Sequence, residues 1–127
     1  MHTPILCVDD DVNVLDSLTD MLEDAGFAVI VAQTGYDALA LAVSRKPSLV
    51  LLVLVLADLP GEEVCRRLRT HAPTADLPVI MLTVKDSEAD KVIGFETGAD
   101  DYVTKPFSEQ ILLAWIRALL RRHEMAR

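Results

Sequence analysis

The longest unbroken hydrophobic stretch of the chain covers residues 49–56, between Lys46-Pro47-Ser48 and a turn-rich loop at 57–61. A strand with one exposed face alternates apolar and polar residues, whereas a strand covered on both faces is apolar throughout. The stretch is too short to cross a bilayer, which takes about 20 residues in a helix. It therefore predicts a central strand of a parallel sheet, and the loop that follows lies at the edge where such sheets bind ligands.

The rest of the chain alternates between strand-like and helix-like segments. Short apolar runs predict strands, and apolar residues that recur every three or four positions predict helices. The predicted strands are 5–8, 27–31, 49–56, 78–82 and 101–104; the predicted helices are 15–25, 36–45, 62–69, 87–97 and 108–123, with Gly26 ending the first and Ser108 capping the last. Five alternations with short links require parallel strands and right-handed crossovers, so the predicted fold is an α/β three-layer sandwich.

The composition fits a single globular domain of 127 residues, 51% hydrophobic and 25% charged. The net charge of −8 argues against direct nucleic-acid contact, which needs clustered Lys and Arg. Cys7 and Cys65 lie far apart without metal-ligand spacing, so we expect two small buried apolar residues rather than a disulfide. The sequence begins without a signal peptide, and we expect a cytoplasmic protein that makes no membrane contact.

Polar residues follow the predicted strands at the carboxyl edge of the sheet. Asp9 and Asp10 follow the first strand, Thr83 follows the fourth, and Lys105 follows the fifth, while the third strand contributes only Val53. Carboxylates hold hard cations such as Mg²⁺, and a lysine and a hydroxyl can stabilise phosphoryl oxygens. Together these residues indicate a site for a divalent cation and a phosphoryl group.

Three segments carry a family resemblance that extends over the whole chain: residues 5–11 (ILCVDDD), 79–83 (VIMLT) and 98–107 (GADDYVTKPF). They resemble the receiver domain of two-component response regulators, most closely the receivers of winged-helix transcription regulators. The resemblance implies a flavodoxin-like (CheY-like) fold, with a five-stranded parallel sheet in the order 2-1-3-4-5 and five helices.

The resemblance also implies roles for residues at the strand ends. The family has a metal-binding acidic pair, two switch residues, a phosphate-sensing lysine and a cis-proline after that lysine. In this sequence these correspond to Asp9 and Asp10, Thr83 and Tyr102, Lys105, and Pro106. Only a bond that precedes proline adopts the cis form at low cost, so the sequence permits the last of these roles.

Val53 departs from the family pattern. Alignment without gaps on Pro47 and Gly61 places Val53 where the family has the aspartate that accepts the phosphoryl group. Valine has no nucleophilic atom, so an acyl phosphate cannot form there and we expect no enzymatic activity. A metal also loses one of its few protein ligands, and the expected cofactor is none, or Mg²⁺ held weakly by Asp9 and Asp10.

Two explanations of Val53 remain open. The residue is either natural, in a degenerate receiver that works without phosphorylation, or an introduced substitution in an ordinary receiver. Ser48, Ala57, Pro60 and Trp115 also depart from the family pattern. Several departures together favour the natural explanation, although a single sequence does not decide between the two.

The family also implies an interface formed by the fourth helix, the fifth strand and the fifth helix. Its charged pairs fall at positions 91 with 111, 96 with 117, and 101 with 115. Glu96 and Arg117 keep their pair, whereas Lys91 faces Ile111, Asp101 faces Trp115, and the apolar patch is Val92, Phe95 and Ala114. Periodicity makes Leu112, Ile116 and Leu119 the core stripe of the last helix. For Ile111 and Trp115, one position away, periodicity alone is equally compatible with a place in the core and with a place in an interface. The family comparison favours an exposed partner site.

We therefore expect residues 1–123 to form a receiver domain and residues 124–127 to begin a tail or linker. The expected function is phosphorylation-independent protein–protein contact in signal transduction or transcription regulation, with a second copy, an output domain or a histidine kinase as the partner. The alternative is an ordinary receiver that is substituted at position 53 or uses another carboxylate such as Asp58. A flavin- or nucleotide-binding protein of the same fold is disfavoured, because three aspartates rather than a glycine-rich phosphate loop follow the first strand.

Overall fold

The computed structural model describes residues 4–53, 56–83, 98–104 and 108–125. Five strands alternate with helices in these ranges. The strands are β1 (Ile5–Val8), β2 (Val29–Ala32), β3 (Leu49–Val53), β4 (Val79–Thr83) and β5 (Asp101–Thr104), and the helices are α1 (Val12–Asp24), α2 (Gly35–Arg45), α3 (Gly61–Thr70) and α4 (Glu109–Met125). A single 3₁₀ turn in the described part, Ala72–Thr74, follows α3.

All five strands pair in parallel, in the spatial order β2-β1-β3-β4-β5. This confirms the predicted flavodoxin-like sheet. The predicted helix at 87–97 lies outside the described residues, and the other four predicted helices are present. In this order β2 lies on one side of β1, and β3, β4 and β5 follow on the other side. The direction in which successive strands are added therefore reverses between β1 and β3, which is where doubly wound folds place their sites.

The unbroken apolar run of β3 serves two separate cores. Leu49 and Leu51 are fully buried in the core under α1 and α4, whereas Val50 and Leu52 are fully buried in the core under α2 and α3. The first core is completed by Leu15, Leu18 and Leu22 of α1 and by Leu112, Ile116 and Leu119 of α4; the second by Ala38 and Ala42 of α2 and by Val64 and Leu68 of α3. Both faces of β3 are therefore covered, as its sequence predicts.

Polar side chains fix the starts of three helices. The Asp11 carboxylate accepts a hydrogen bond from the N–H of Asn13 (2.9 Å) at the start of α1, and the Thr34 hydroxyl accepts one from Asp37 (3.1 Å) at the start of α2. The Ser108 hydroxyl accepts one from Ile111 (3.4 Å), which confirms the predicted cap of the last helix. Such caps satisfy N–H groups that have no acceptor inside the helix. They fix where each helix leaves the carboxyl edge.

The bounds of several elements differ from those predicted. The third strand ends at Val53 rather than at residue 56; Leu56 is buried outside the strand, and Leu54 and Val55 lie outside the described residues. The second strand runs 29–32 rather than 27–31. The apolar run of the second strand begins two residues before the strand itself, so hydrophobicity alone does not mark the point where pairing starts. Cys7 and Cys65 are both buried and are not joined by a disulfide, as expected.

Candidate functional site

The register of the sheet brings three of the predicted site residues to one edge. Val8 of β1 pairs with Leu52 of β3, so Asp9 and Val53, the next residues of their strands, are neighbours. Val53 pairs in turn with Leu82 of β4, and Thr83 follows it. Lys105 and Pro106, predicted to complete the site, lie outside the described residues.

The three consecutive aspartates after β1 have different environments. Asp9 is buried, with 3% of its surface exposed, and its Oδ1 accepts a hydrogen bond from the N–H of Asp11 (3.0 Å). Asp10 is exposed, and Asp11 is the cap of α1. An Asp-Asp pair after a strand is as often a helix cap as a metal ligand, and here the capping role falls on the third aspartate. The predicted acidic pair, Asp9 and Asp10, thus directly precedes the capping residue.

Val53 occupies the end of β3 without contributing a polar atom. Its side chain is half-buried and packs against the core shared by α2 and α3. Mg²⁺ takes about six oxygen ligands in near-octahedral geometry, and because it gives up water reluctantly it usually keeps several waters and binds only one or two protein carboxylates. Among the described residues no three His, Cys, Asp or Glu side chains come close enough to hold a metal ion. Asp9 and Asp10 are therefore the candidate cation ligands that the described part of this edge offers, and Val53 adds none.

Asp58, in the loop between β3 and α3, is held by backbone N–H groups. Its Oδ1 accepts from Gly35 (2.8 Å) and Leu59 (2.9 Å), and its Oδ2 accepts from Tyr36 (3.0 Å). The hydrogen bonds from Tyr36 and Gly35 lower the pKa of this carboxyl below its ordinary value, although it lies at the surface. Asp58 follows the two donors, Gly35 and Tyr36 at the start of α2, by more than 20 residues in the chain. Sequence reasoning considered Asp58 only as a substitute acceptor and missed this role.

Tyr102, the predicted switch residue of β5, points into the core. It is 7% exposed and belongs to the cluster under α2 and α3, together with Met81, its partner on β4. The switch role itself stays a prediction. Burial on this face places the ring on the same side of the sheet as Val53.

One side of α4 combines a buried stripe with an exposed apolar flank. Leu112 and Ile116 are fully buried, whereas Ile111 is 51% exposed and Trp115 is 38% exposed. Ala114 and Arg117 are also exposed, and Asp101 is half-buried. Ile111 and Trp115 therefore lie outside the core stripe, and their role in an interface stays a prediction. Lys91, Val92, Phe95 and Glu96, the other predicted interface residues, lie outside the described residues.

A second polar cluster, not foreseen from the sequence, lies at the opposite, amino edge of the sheet. Arg69 of α3 donates through Nε to the carbonyl of Gly98 (2.9 Å), through Nη1 to that of Leu77 (2.6 Å), and through Nη2 to Asp100 Oδ2 (2.8 Å). The same Asp100 oxygen accepts from the N–H of Val79 (2.7 Å). We call this group the Arg69 clamp. It ties α3 to the starts of β4 and β5.

Doubly wound topology and an acidic pair at the switch between β1 and β3 are the features of a receiver. The family model of the response regulator receiver domain matches residues 5–117, and the chain belongs to this family. It is the receiver domain of a two-component response regulator. No helix in the described ranges has the length and apolar character needed to cross a membrane.

The chain is similar over almost its full length to two transcription regulators. It is 46% identical, over 99% of its residues, to the alkaline phosphatase synthesis transcriptional regulatory protein PhoP of Bacillus subtilis, and 48% identical, over 93%, to the DNA-binding dual master transcriptional regulator RpaA of a Synechocystis species. These matches cover 52% and 49% of the relatives, so the chain spans about half of their length. A solved CheY-like receiver domain protein from Methanospirillum hungatei, 31% identical, superposes with a TM-score of 0.92 over all of both chains.

Proposed function

We propose that this receiver domain signals by contact with other proteins and is not phosphorylated at residue 53. One observation carries the proposal: the side chain that ends β3, beside the buried Asp9, is a half-buried valine. An acyl phosphate needs an oxygen nucleophile at the point of attack, and valine offers none. Thr83 and Lys105 are the proposed remnants of a phosphate pocket, and they could only assist a nucleophile that is absent. The chain is accordingly proposed to have no catalytic activity.

The rival proposal, an ordinary receiver that uses Asp58 as its acceptor, has weaker support. Both oxygens of that carboxylate already accept hydrogen bonds, three in all. Its lowered pKa also makes it a weaker nucleophile than a free carboxylate. Phosphorylation of Asp58 would have to break the contacts that hold its own loop. An introduced substitution at position 53 is compatible with the same geometry, and the behaviour of the chain as it stands would be unchanged.

Magnesium binding is proposed to be weak. Asp9 is buried and Asp10 exposed, and the neighbouring strand contributes no carboxylate. An ion that gives up water reluctantly gains little from two ligands on consecutive residues. We expect an affinity no tighter than about millimolar, or about −4 kcal/mol. Titration calorimetry at neutral pH would measure it, and micromolar binding would contradict this part of the proposal.

The exposed flank of α4 is the proposed contact surface. Ile111 and Trp115 expose apolar area beside Ala114 and Arg117. Aromatic side chains at the centre of an interface contribute more than exposed ion pairs, which typically give about 0–1 kcal/mol. We propose that this surface, with Asp101 of β5, binds a second copy of the domain or an output domain. The named relatives are transcriptional regulators about twice as long as this chain, which favours a cytoplasmic output domain acting on transcription. A histidine kinase is proposed only as a partner by contact.

Incubation with acetyl phosphate and Mg²⁺ tests the proposed lack of phosphorylation. We expect the intact mass to be unchanged, because residue 53 has no nucleophile. Val53→Asp is the matched control, since it restores the carboxylate at the same point of the sheet edge and is expected to gain one phosphoryl group. A stable phosphoryl group on the unaltered chain would contradict the proposal, and fragment masses would locate the substitute acceptor.

Sedimentation of the domain at low and high salt tests the contact surface. Association through apolar burial should change little with salt and should be lost in Trp115→Arg, because burial contributes about 25 cal/mol per Å² and is not screened. Val43→Arg is the matched control, since Val43 is a similarly exposed apolar residue (42%) on α2. Association that survives Trp115→Arg, or that Val43→Arg disrupts equally, would remove this surface from consideration.

A further inference from the structure

The carboxylate of Asp58, in the described part of the loop between β3 and α3 (residues 56–60), is hydrogen-bonded to the start of helix α2. In α2 the first three N–H groups have no acceptor inside the helix. The Thr34 hydroxyl accepts from the third, Asp37, whereas Asp58 accepts from the first two, Gly35 at 2.8 Å and Tyr36 at 3.0 Å. All three are therefore satisfied, two of them by a residue from the loop between β3 and α3. An anion is also favoured at this point by the helix dipole.

Packing holds the same two elements together. The start of α2 lies so close to the loop that a Cβ added at Gly35 would stand 2.9 Å from Val64 Cγ2 and 3.0 Å from Leu59 Cβ. Leu59, next to Asp58, is buried at 8% exposure. Only a glycine lets the backbone of α2 come this near. The close approach is what brings the two N–H groups within reach of Asp58.

A third contact joins α2 to α3 at the surface. The guanidinium of Arg67 lies over the ring of Tyr36, 5.7 Å from its centroid, and Arg67 Nε donates to Glu63 Oε2 (2.7 Å). The Tyr36 residue thus contacts the loop through its backbone and α3 through its side chain. Exposed contacts of this kind each contribute little. Their common effect is that α2, the loop and α3 meet at one place.

We propose that Asp58 is a positioning residue that holds the loop after β3 in one conformation without a metal ion or a phosphoryl group. The inference extends the proposed function, because it names what fixes this part of the site when neither group is bound. In this arrangement the charge that organises the loop is that of Asp58 itself, so no bound ligand has to supply it.

Amide hydrogen exchange, measured residue by residue on the intact domain, tests the proposal. The N–H groups of Gly35 and Tyr36 have no helical acceptor, and both donate to Asp58, so their exchange reports the loss of that acceptor. In Asp58→Ala we expect their exchange, and that of Leu59, to speed up about tenfold or more, with α1 and α4 unchanged. Asp58→Asn, which keeps one carbonyl oxygen, should retain part of the protection.

Two controls make the result decisive. Asp37→Asn removes a charge from the same helix start but no contact to the loop, and it should leave Gly35 and Tyr36 protected. The unaltered protein should show equal protection in EDTA and in Mg²⁺. Protection that appears only with Mg²⁺, or Asp58→Ala exchange no faster than that of Asp37→Asn, would overturn the inference. Phosphoryl uptake at a residue other than Asp58 would instead contradict only the proposed function, since intact mass and exchange report the two separately.

Discussion

The two edges of the sheet use charge in opposite ways. At the amino edge, Arg69 is matched by Asp100 and by three backbone carbonyls, and only 21% of its side chain is exposed. At the carboxyl edge, Asp9 is buried between an exposed aspartate and a strand that ends in Val53. The contacts at the amino edge tie the starts of two strands together, whereas the carboxyl edge has a buried and an exposed carboxylate on consecutive residues beside an apolar side chain. The amino edge thus stabilises the fold, and the carboxyl edge carries the candidate site.

Removal of the Arg69 clamp should have the largest effect. In Arg69→Ala the Asp100 carboxylate and the carbonyls of Gly98, Ala75 and Leu77 lose their donor. Loss of hydrogen bonds from a charged donor to several acceptors costs about 1–3 kcal/mol of the free energy of unfolding. Urea unfolding measures the loss. Arg66→Ala is the matched control on the same helix, because Arg66 is 59% exposed and pairs with Glu63 at the surface, so we expect a much smaller loss. Equal losses would erase the contrast between the edges.

A third carboxylate at the carboxyl edge should destabilise the fold unless a cation is present. Val53→Asp adds a charge beside Asp9 and Asp10, and like charges in a partly buried site cost about 1–2 kcal/mol. Mg²⁺ that binds the folded state should restore this loss. Urea unfolding with and without Mg²⁺ provides the measurement, with Val53→Asn as the uncharged control of the same shape. If Mg²⁺ stabilised the unaltered domain as strongly as Val53→Asp, the edge would already hold a complete metal site.

The sequence predicts the strands and most helices because each is a local pattern. The run in β3, the glycine after α1 and the serine before α4 each act within a few residues, and the strand ends then bring Asp9, Val53 and Thr83 together by topology. The contacts of Asp58 and of Arg69 could not be predicted from such local patterns. Asp58 contacts N–H groups 22 and 23 residues away, and Arg69 contacts groups 29 and 31 residues away. In the sequence both look like ordinary surface charges, because their partners are backbone atoms or a distant aspartate.

Two glycines with similar backbone conformations provide a further test of the Arg69 clamp at the amino edge. Gly98 (φ +101°) and Gly26 (φ +95°) both adopt the left-handed region, so alanine strains either one by about 1 kcal/mol. A Cβ at Gly98 would also meet Arg69 Cγ at 2.7 Å, whereas at Gly26 nothing lies within 4 Å. Gly98→Ala should therefore lower the free energy of unfolding by about 1 kcal/mol more than Gly26→Ala. In an Arg69→Ala background the excess should vanish, as a double-mutant cycle in urea would measure. An excess that persists would show that Arg69 does not crowd this turn.

At low pH the hydrogen bonds between Asp58 and the start of α2 should weaken. Of the predicted changes in the free energy of unfolding, this one is the smallest. The N–H groups of Tyr36 and Gly35 stabilise the Asp58 anion, so the pKa of Asp58 in the folded state lies below its unfolded value of about 3.9. The stabilisation is thus fully present above the unfolded pKa and is lost as the pH falls through the folded one. The difference in unfolding free energy between the unaltered domain and Asp58→Asn should be constant from about pH 6 to 8 and should shrink below about pH 4. Hydrogen bonds from Arg66 and Arg67 lower the pKa of Glu63 in the same direction, but Glu63 is present in both proteins and cancels in the difference. Urea unfolding across this range measures the difference, and a difference that grows in acid would mean that Asp58 is not held as an anion.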